Sequence, residues 1–98
     1  MRFTWDEAKR NSNIQDHGLD FIDAKQVFFG PTFTFEDSRF SYGEERFVTL
    51  GMLTGFIVSI VHTETPHTIR IIPFARPRTM ADALLQANPG LIGRVSAP

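Results

Sequence analysis

This sequence predicts an α+β domain: two N-terminal helices packed on a four-stranded, mainly antiparallel sheet, with a short C-terminal helix. Three observations predict it. Apolar residues recur at helical spacing before Pro31 and at a period of two after it. Several short strand patterns then follow one another, separated by tight turn signals. A helix-opening segment comes after the last of them, so helices and strands are segregated along the chain rather than alternating.

The elements can be justified in order. Thr4-Trp5-Asp6-Glu7 has the T-x-x-E spacing of a capping box, in which hydroxyl and carboxylate each satisfy an orphan backbone donor. A first helix is expected from about Trp5 to Asp16, closed by Gly18 in the left-handed conformation. Phe21, Ala24, Val27 and Phe28 form one stripe of a second helix, which Gly30-Pro31 ends. Thr32-Phe33-Thr34-Phe35 alternates as a strand with one wet face should. The polar segment from Glu36 to Glu45 reads as a loop. Arg46 to Leu53 and Phe56 to Thr63 are strands joined by a tight turn at Thr54-Gly55. The second of these is apolar almost throughout and so is read as central, covered on both faces. Thr68 to Phe74 is the next strand. Thr79-Met80-Ala81-Asp82 opens a last short helix that Asn88-Pro89-Gly90 must stop. One domain over residues 1–88 and a flexible tail over 89–98 follow.

Composition excludes several classes of function. With 98 residues, 42% of them hydrophobic and 21% charged, the chain can bury a core, unlike a disordered tail. Cysteine is absent, so neither a disulfide nor a thiolate nucleophile is available. The net charge of −1 offers no global attraction for nucleic acid, so any such surface must be a local patch. The N-terminus MRFTWDEAKR lacks a signal-peptide pattern, and the apolar run from Gly55 to Val61 is far short of the ~20 residues needed to span a bilayer. A cytoplasmic location without a membrane partner is the expectation.

Three segments are more specific. The first is W-D-x-x-K-x-x-x-N-x-x-x-H-G, carried by Trp5, Asp6, Lys9, Asn13, His17 and Gly18, with Phe21 beyond it. The second is G-E-E-R-F with a following glycine: Gly43, Glu44, Glu45, Arg46, Phe47 and Gly51. The third is an apolar strand running into His62-Thr63-Glu64 and then Arg70-Ile71-Ile72. In order and spacing, over roughly residues 3 to 76, these resemble the BrnT family, the toxin half of BrnT/BrnA type II toxin–antitoxin modules.

The resemblance implies a RelE-like fold, a growth-inhibiting ribonuclease that shuts down translation, and neutralisation by a BrnA-like antitoxin that also supplies the DNA binding. RNA, free or on the ribosome, is the implied substrate, and a dimer or a heterotetramer with the antitoxin is the implied assembly. Two stretches depart from the family. Pro73-Phe74-Ala75-Arg76-Pro77-Arg78 and an apolar segment replace a serine-alanine-arginine-arginine segment and a basic terminal helix. Gln15 and Asp16 stand where basic residues are usual.

Metal-independent RNA cleavage needs the 2′-hydroxyl deprotonated, the phosphate's extra charge stabilised and the 5′-oxygen protonated. The candidate catalytic residues are His62 and Glu64 for protons, with Arg70 and Arg76 on phosphate, since guanidinium forks pair with phosphate oxygens. Lys9, Arg46 and Arg78 are candidate RNA contacts. No metal ligand set and no cofactor motif is expected. The bland readings are a structural His62, a solvated Lys9, and an Arg70 that only pairs with Glu64 or Glu45. Trp5, Asp6 and Asn13 look like capping and packing residues.

Register decides whether the hairpin is a site. A two-residue Pro66-His67 loop puts His62 opposite Ile71 and sends Arg70 to the other face. A three-residue loop puts His62 opposite Arg70. The competing function is a non-enzymatic interaction domain that holds an antitoxin-like partner or another copy of itself, favoured by the ten phenylalanines. Direct DNA binding lacks both a basic patch and a suitable helix pair.

Overall fold

The computed structural model describes residues 1–36 and 45–77, together with the backbone of 93–96. The chain runs β1 (Arg2–Thr4), α1 (Glu7–His17), a 3-10 turn η1 (Phe21–Asp23), α2 (Ala24–Phe29), β2 (Thr32–Glu36), β3 (Phe47–Leu53), β4 (Phe56–Glu64), β5 (Thr68–Ala75) and β6 (Gly93–Ser96). The strands form one sheet in the order β1-β5-β4-β3-β2-β6. Every pairing is antiparallel except β1 with β5, so the sheet is mixed.

The α+β order holds, but the sheet is wider than four strands. β1 precedes the first helix and takes Thr4 into a strand, where it pairs with Arg70. The capping box is therefore not formed. Asp6 caps α1 instead, its carboxylate accepting from the Ala8 and Lys9 amides at 2.8 and 3.2 Å. At the other end Gly18 adopts φ 68°, and its N–H closes on the Ile14 carbonyl. At the C-terminal end, β6 pairs with β2 where the sequence suggests a loose tail. The short C-terminal helix expected after Thr79, and most of the polar segment from Glu36 to Glu45, lie outside the described residues.

Helices cover one face of the sheet. Of the stripe Phe21, Ala24, Val27 and Phe28 expected on a second helix, the first three are buried against Val58, Ile60, Ile69, Ile71 and Phe74 and Phe28 is half-buried beside them, with Phe21 in η1 rather than in α2. Each fully buried large side chain here contributes about 1.5–3 kcal/mol. Gly51 lets α2 approach this closely, since a Cβ there would lie 2.6 Å from Val27 Cγ1.

Phe35, Val48 and Leu50 form a second buried cluster on the opposite face, flanked by Phe33 and Val61. Phe3, Phe21, Phe28 and Phe74 thus join one core and Phe33 and Phe35 the other, while Phe29 and Phe56 are exposed. β3 and β4 are joined at Thr54-Gly55, with φ 46° and 85°, the two positive values a type I′ hairpin turn requires. Glycine accepts this freely. For the β-branched Thr54 it costs on the order of 1–3 kcal/mol.

One expectation about β2 is overturned. Its threonine face is not wet: Thr32 and Thr34 are buried on the helix-covered side. Burial is tolerated because Thr34 Oγ1 hydrogen-bonds Thr49 Oγ1 at 2.7 Å, so the hydroxyls satisfy one another. No helix among the described residues is long and apolar enough to cross a membrane.

Candidate functional site

The β4–β5 hairpin closes through the two-residue Pro66-His67 loop. The Thr65 N–H donates to the Thr68 carbonyl at 2.8 Å, and the Thr68 N–H donates to Thr65 Oγ1 at 3.1 Å. The register follows: Glu64 faces Ile69, Thr63 faces Arg70 and His62 faces Ile71. Opposed residues share a face, so His62 and Glu64 project to the helix side and Arg70 to the other. His62 and Arg70 do not form a common site.

His62 is wholly buried. Its Nε2 lies 2.7 Å from Thr49 Oγ1, which extends the Thr34–Thr49 contact into a polar line across β2, β3 and β4. The ring lies edge-on to Phe28, with centroids 5.3 Å apart, and stacks on Phe47 at 6.0 Å. Glu64 Oε1 stands 3.7 Å from Nδ1, and 23% of the Glu64 side chain remains exposed. The line therefore starts in the core and reaches solvent at Glu64. Held by a hydroxyl and two rings, the imidazole is enclosed by its neighbours.

The other candidates lie in separate places. Arg70 is exposed, which removes the premise that an arginine in an isoleucine-rich strand sits inside apolar surroundings. Arg46 is half-buried and immediately precedes the first β3–β4 pair, Phe47 with His62. The β3–β4 ladder begins at that pair, and on the β5 side Thr63 faces Arg70. Arg76 is exposed at the far end of the sheet, its Cζ 3.8 Å above the centre of the Phe56 ring. Phe56 and Glu64 bound β4, roughly 26 Å apart at about 3.3 Å per residue. The structure thus parts Arg76 from His62, Glu64 and Arg70. Lys9 is exposed on α1, and His17 and His67 are exposed as well. Arg78 lies outside the described residues. Among the described residues no three His, Cys, Asp or Glu side chains gather as a metal site would need.

Three residues of the N-terminal motif, Trp5, Asp6 and Asn13, serve the architecture. Asp6 caps α1, and Trp5 packs edge-on against Phe21 with centroids 6.4 Å apart. Asn13 is buried: its Nδ2 donates to the Leu19 and Phe74 carbonyls at 2.9 and 2.8 Å, and its Oδ1 accepts from the Phe74 N–H at 3.0 Å. That side chain fastens α1 to β5.

Sequence reasoning missed the two threonines and a fork-to-fork ion pair. Arg10 Nε and Nη2 donate to the two Asp20 oxygens at 2.7 and 3.0 Å. This pairing, with the Ile22 N–H, holds the Asp20 carboxyl below its ordinary range, and Asp20 and then Glu7 raise Arg10. The signal for the threonines was present in β2, where two same-face hydroxyls two residues apart can be satisfied only by a polar neighbour.

A family model described as the ribonuclease toxin, BrnT, of type II toxin–antitoxin systems matches residues 5–80. No curated protein matches the chain.

Proposed function

The chain belongs to the BrnT family of ribonuclease toxins of type II toxin–antitoxin systems, and from that premise we propose a metal-independent RNA endonuclease that inhibits translation and is neutralised by a BrnA-like antitoxin. The observation that carries the reading is the β4–β5 register. It sets Arg70 in solvent beside Thr63, on the face of the sheet away from the helices, at the end where the ladder starts just after Arg46.

In this reading Arg46 and Arg70 hold the scissile phosphate and offset the charge that grows on it. Glu64 and His62 project from the opposite face, so in this reading neither touches the phosphate that Arg70 holds. His62, fixed by Thr49, braces β4 from the core side. Lys9 and Arg76 lie apart from this group and contact RNA away from the bond that is cut.

Purified chain incubated with RNA in excess chelator tests the proposal. Cleavage should persist, and Arg70→Ala should lower it on the order of 10²-fold, the usual cost of removing one donor to a developing oxyanion. Its thermal stability should match the parent's, because Arg70 is exposed. Cleavage that needs a divalent ion, or an Arg70→Ala variant as active as the parent, would overturn the assignment.

A second reading, a non-enzymatic interaction domain, is favoured by a specific patch. Met1, Ile22 and Phe29 are 71%, 53% and 66% exposed and line adjoining grooves around Lys25. A folded chain that leaves RNA intact would give that reading first place.

A further inference from the structure

Arg76 and Phe56, parted from the residues above by most of the length of β4, line a cleft of about 330 Å³ between α2 and the β3–β4 hairpin. Its size falls within the usual range for small-ligand sites. Leu53 and Val58, both buried, supply apolar lining. Phe56, 49% exposed, carries the Arg76 guanidinium over its ring, with Cζ 3.8 Å from the ring centre. A guanidinium presented on an aromatic ring is a stacking platform for a planar, electron-rich group.

The helix side of the cleft supplies polar groups. Asp23 and Gln26 are three residues apart and so share one face of the chain entering α2. Asp23 occupies the N-cap position of α2, yet its carboxylate makes no capping hydrogen bond. A half-buried acceptor and an exposed amide therefore line the same cleft as the cationic platform. Thr54, held at positive φ, lines the same cleft, and such strained residues gather at ligand clamps.

We propose that this cleft binds an unpaired guanine base of the RNA substrate. The inference rests on the ribonuclease reading and adds a base-recognition subsite several nucleotides from the bond cut. Guanine is the RNA base with two adjacent N–H donors on its pairing edge, and a carboxylate can accept both at once. The Gln26 amide then donates to the guanine carbonyl, and the ring stacks on Arg76. Adenine and cytosine set a ring-nitrogen lone pair against the carboxylate, and uracil sets a carbonyl there.

The test is a titration of the full ¹⁵N-labelled chain with guanosine, adenosine, cytidine and uridine 5′-monophosphates in turn, followed by amide shifts. Guanosine monophosphate should move the resonances of Asp23, Gln26, Thr54 and Gly55, and should bind at least tenfold more tightly than the other three. Arg76→Ala and Asp23→Asn should each weaken it at least tenfold while leaving the spectrum elsewhere that of the parent. No shift in the cleft, shifts centred elsewhere, or no preference for guanine would overturn the proposal. Binding requires no cleavage, so the two readings can fail separately. A chain that binds guanosine monophosphate in the cleft but cuts no RNA removes only the ribonuclease assignment. One that cuts RNA with the cleft empty removes only this subsite.

Discussion

Replacing Asn13 with alanine should be among the most damaging single changes available in this chain. The side chain is 5% exposed and makes three hydrogen bonds, all to backbone groups: two carbonyls and one N–H. Alanine leaves those groups without their partner. At about 1 kcal/mol for each bond, the low end of the cost of stranding a buried polar group, the loss is about 3 kcal/mol. For a domain of this size that lowers Tm by roughly 12 to 24 °C.

Asn13→Asp should be at least as harmful, because it keeps the acceptor for the Phe74 N–H but turns a carboxylate oxygen toward two carbonyls. Asn11→Ala, at an exposed position on the same helix, should stay within about 0.5 kcal/mol of the parent and serves as the control. Urea unfolding followed through Trp5 fluorescence measures all three, since Trp5 packs against the helix-side core. An Asn13→Ala loss below about 1 kcal/mol would refute the view that this amide fastens α1 to β5.

Other outcomes follow from the same geometry. Thr49→Val keeps the side-chain shape but breaks both 2.7 Å contacts of the polar line, and should cost about 1–3 kcal/mol in urea unfolding. Gly51→Ala drives a methyl into Val27 and should cost about 1–3 kcal/mol; adding Val27→Ala should return part of that loss, a coupling that a double-mutant cycle measures. Asp20 ionises more readily folded than unfolded, so its contribution is present above the unfolded carboxylate pKa of about 3.9 and fades as pH falls through the lower folded value. Asp20→Asn should therefore flatten the acid limb of a stability–pH profile measured by urea unfolding while lowering stability near neutrality.

Local patterning was legible in the sequence. The stripe of Phe21, Ala24 and Val27, the Gly18 closure and the Thr54-Gly55 turn all depend on residues a few positions apart, and all stand in the structure. What escaped was settled by distant partners. Thr4 and Asp6 are both good caps, and the choice between them falls to β5, more than sixty residues on, which draws Thr4 into a strand. The alternation of Arg2, Phe3, Thr4 and Trp5 was the available clue.

The threonine face of β2 read as wet because hydroxyls usually seek water. Here Thr49 and His62 answer them, and neither is visible from β2 alone. The candidate site hung on whether a loop has two residues or three, and both fit the local sequence. The hydrogen bonds of Thr65 and Thr68 choose the shorter loop and separate the histidine from the arginine.

The two margins of the sheet are its shortest members: β1 with three residues and β6 with four, drawn from near opposite ends of the sequence. Short outer strands blunt the tendency of a sheet to recruit further chains. Trimming the first four residues would bare the outer side of β5, eight residues long and largely aliphatic. Trimming residues 93–96 would do the same to β2. Truncated or proteolysed forms of this protein are therefore the ones to watch for fibrillar or swapped association, and an affinity tag belongs beyond a spacer rather than flush against either margin.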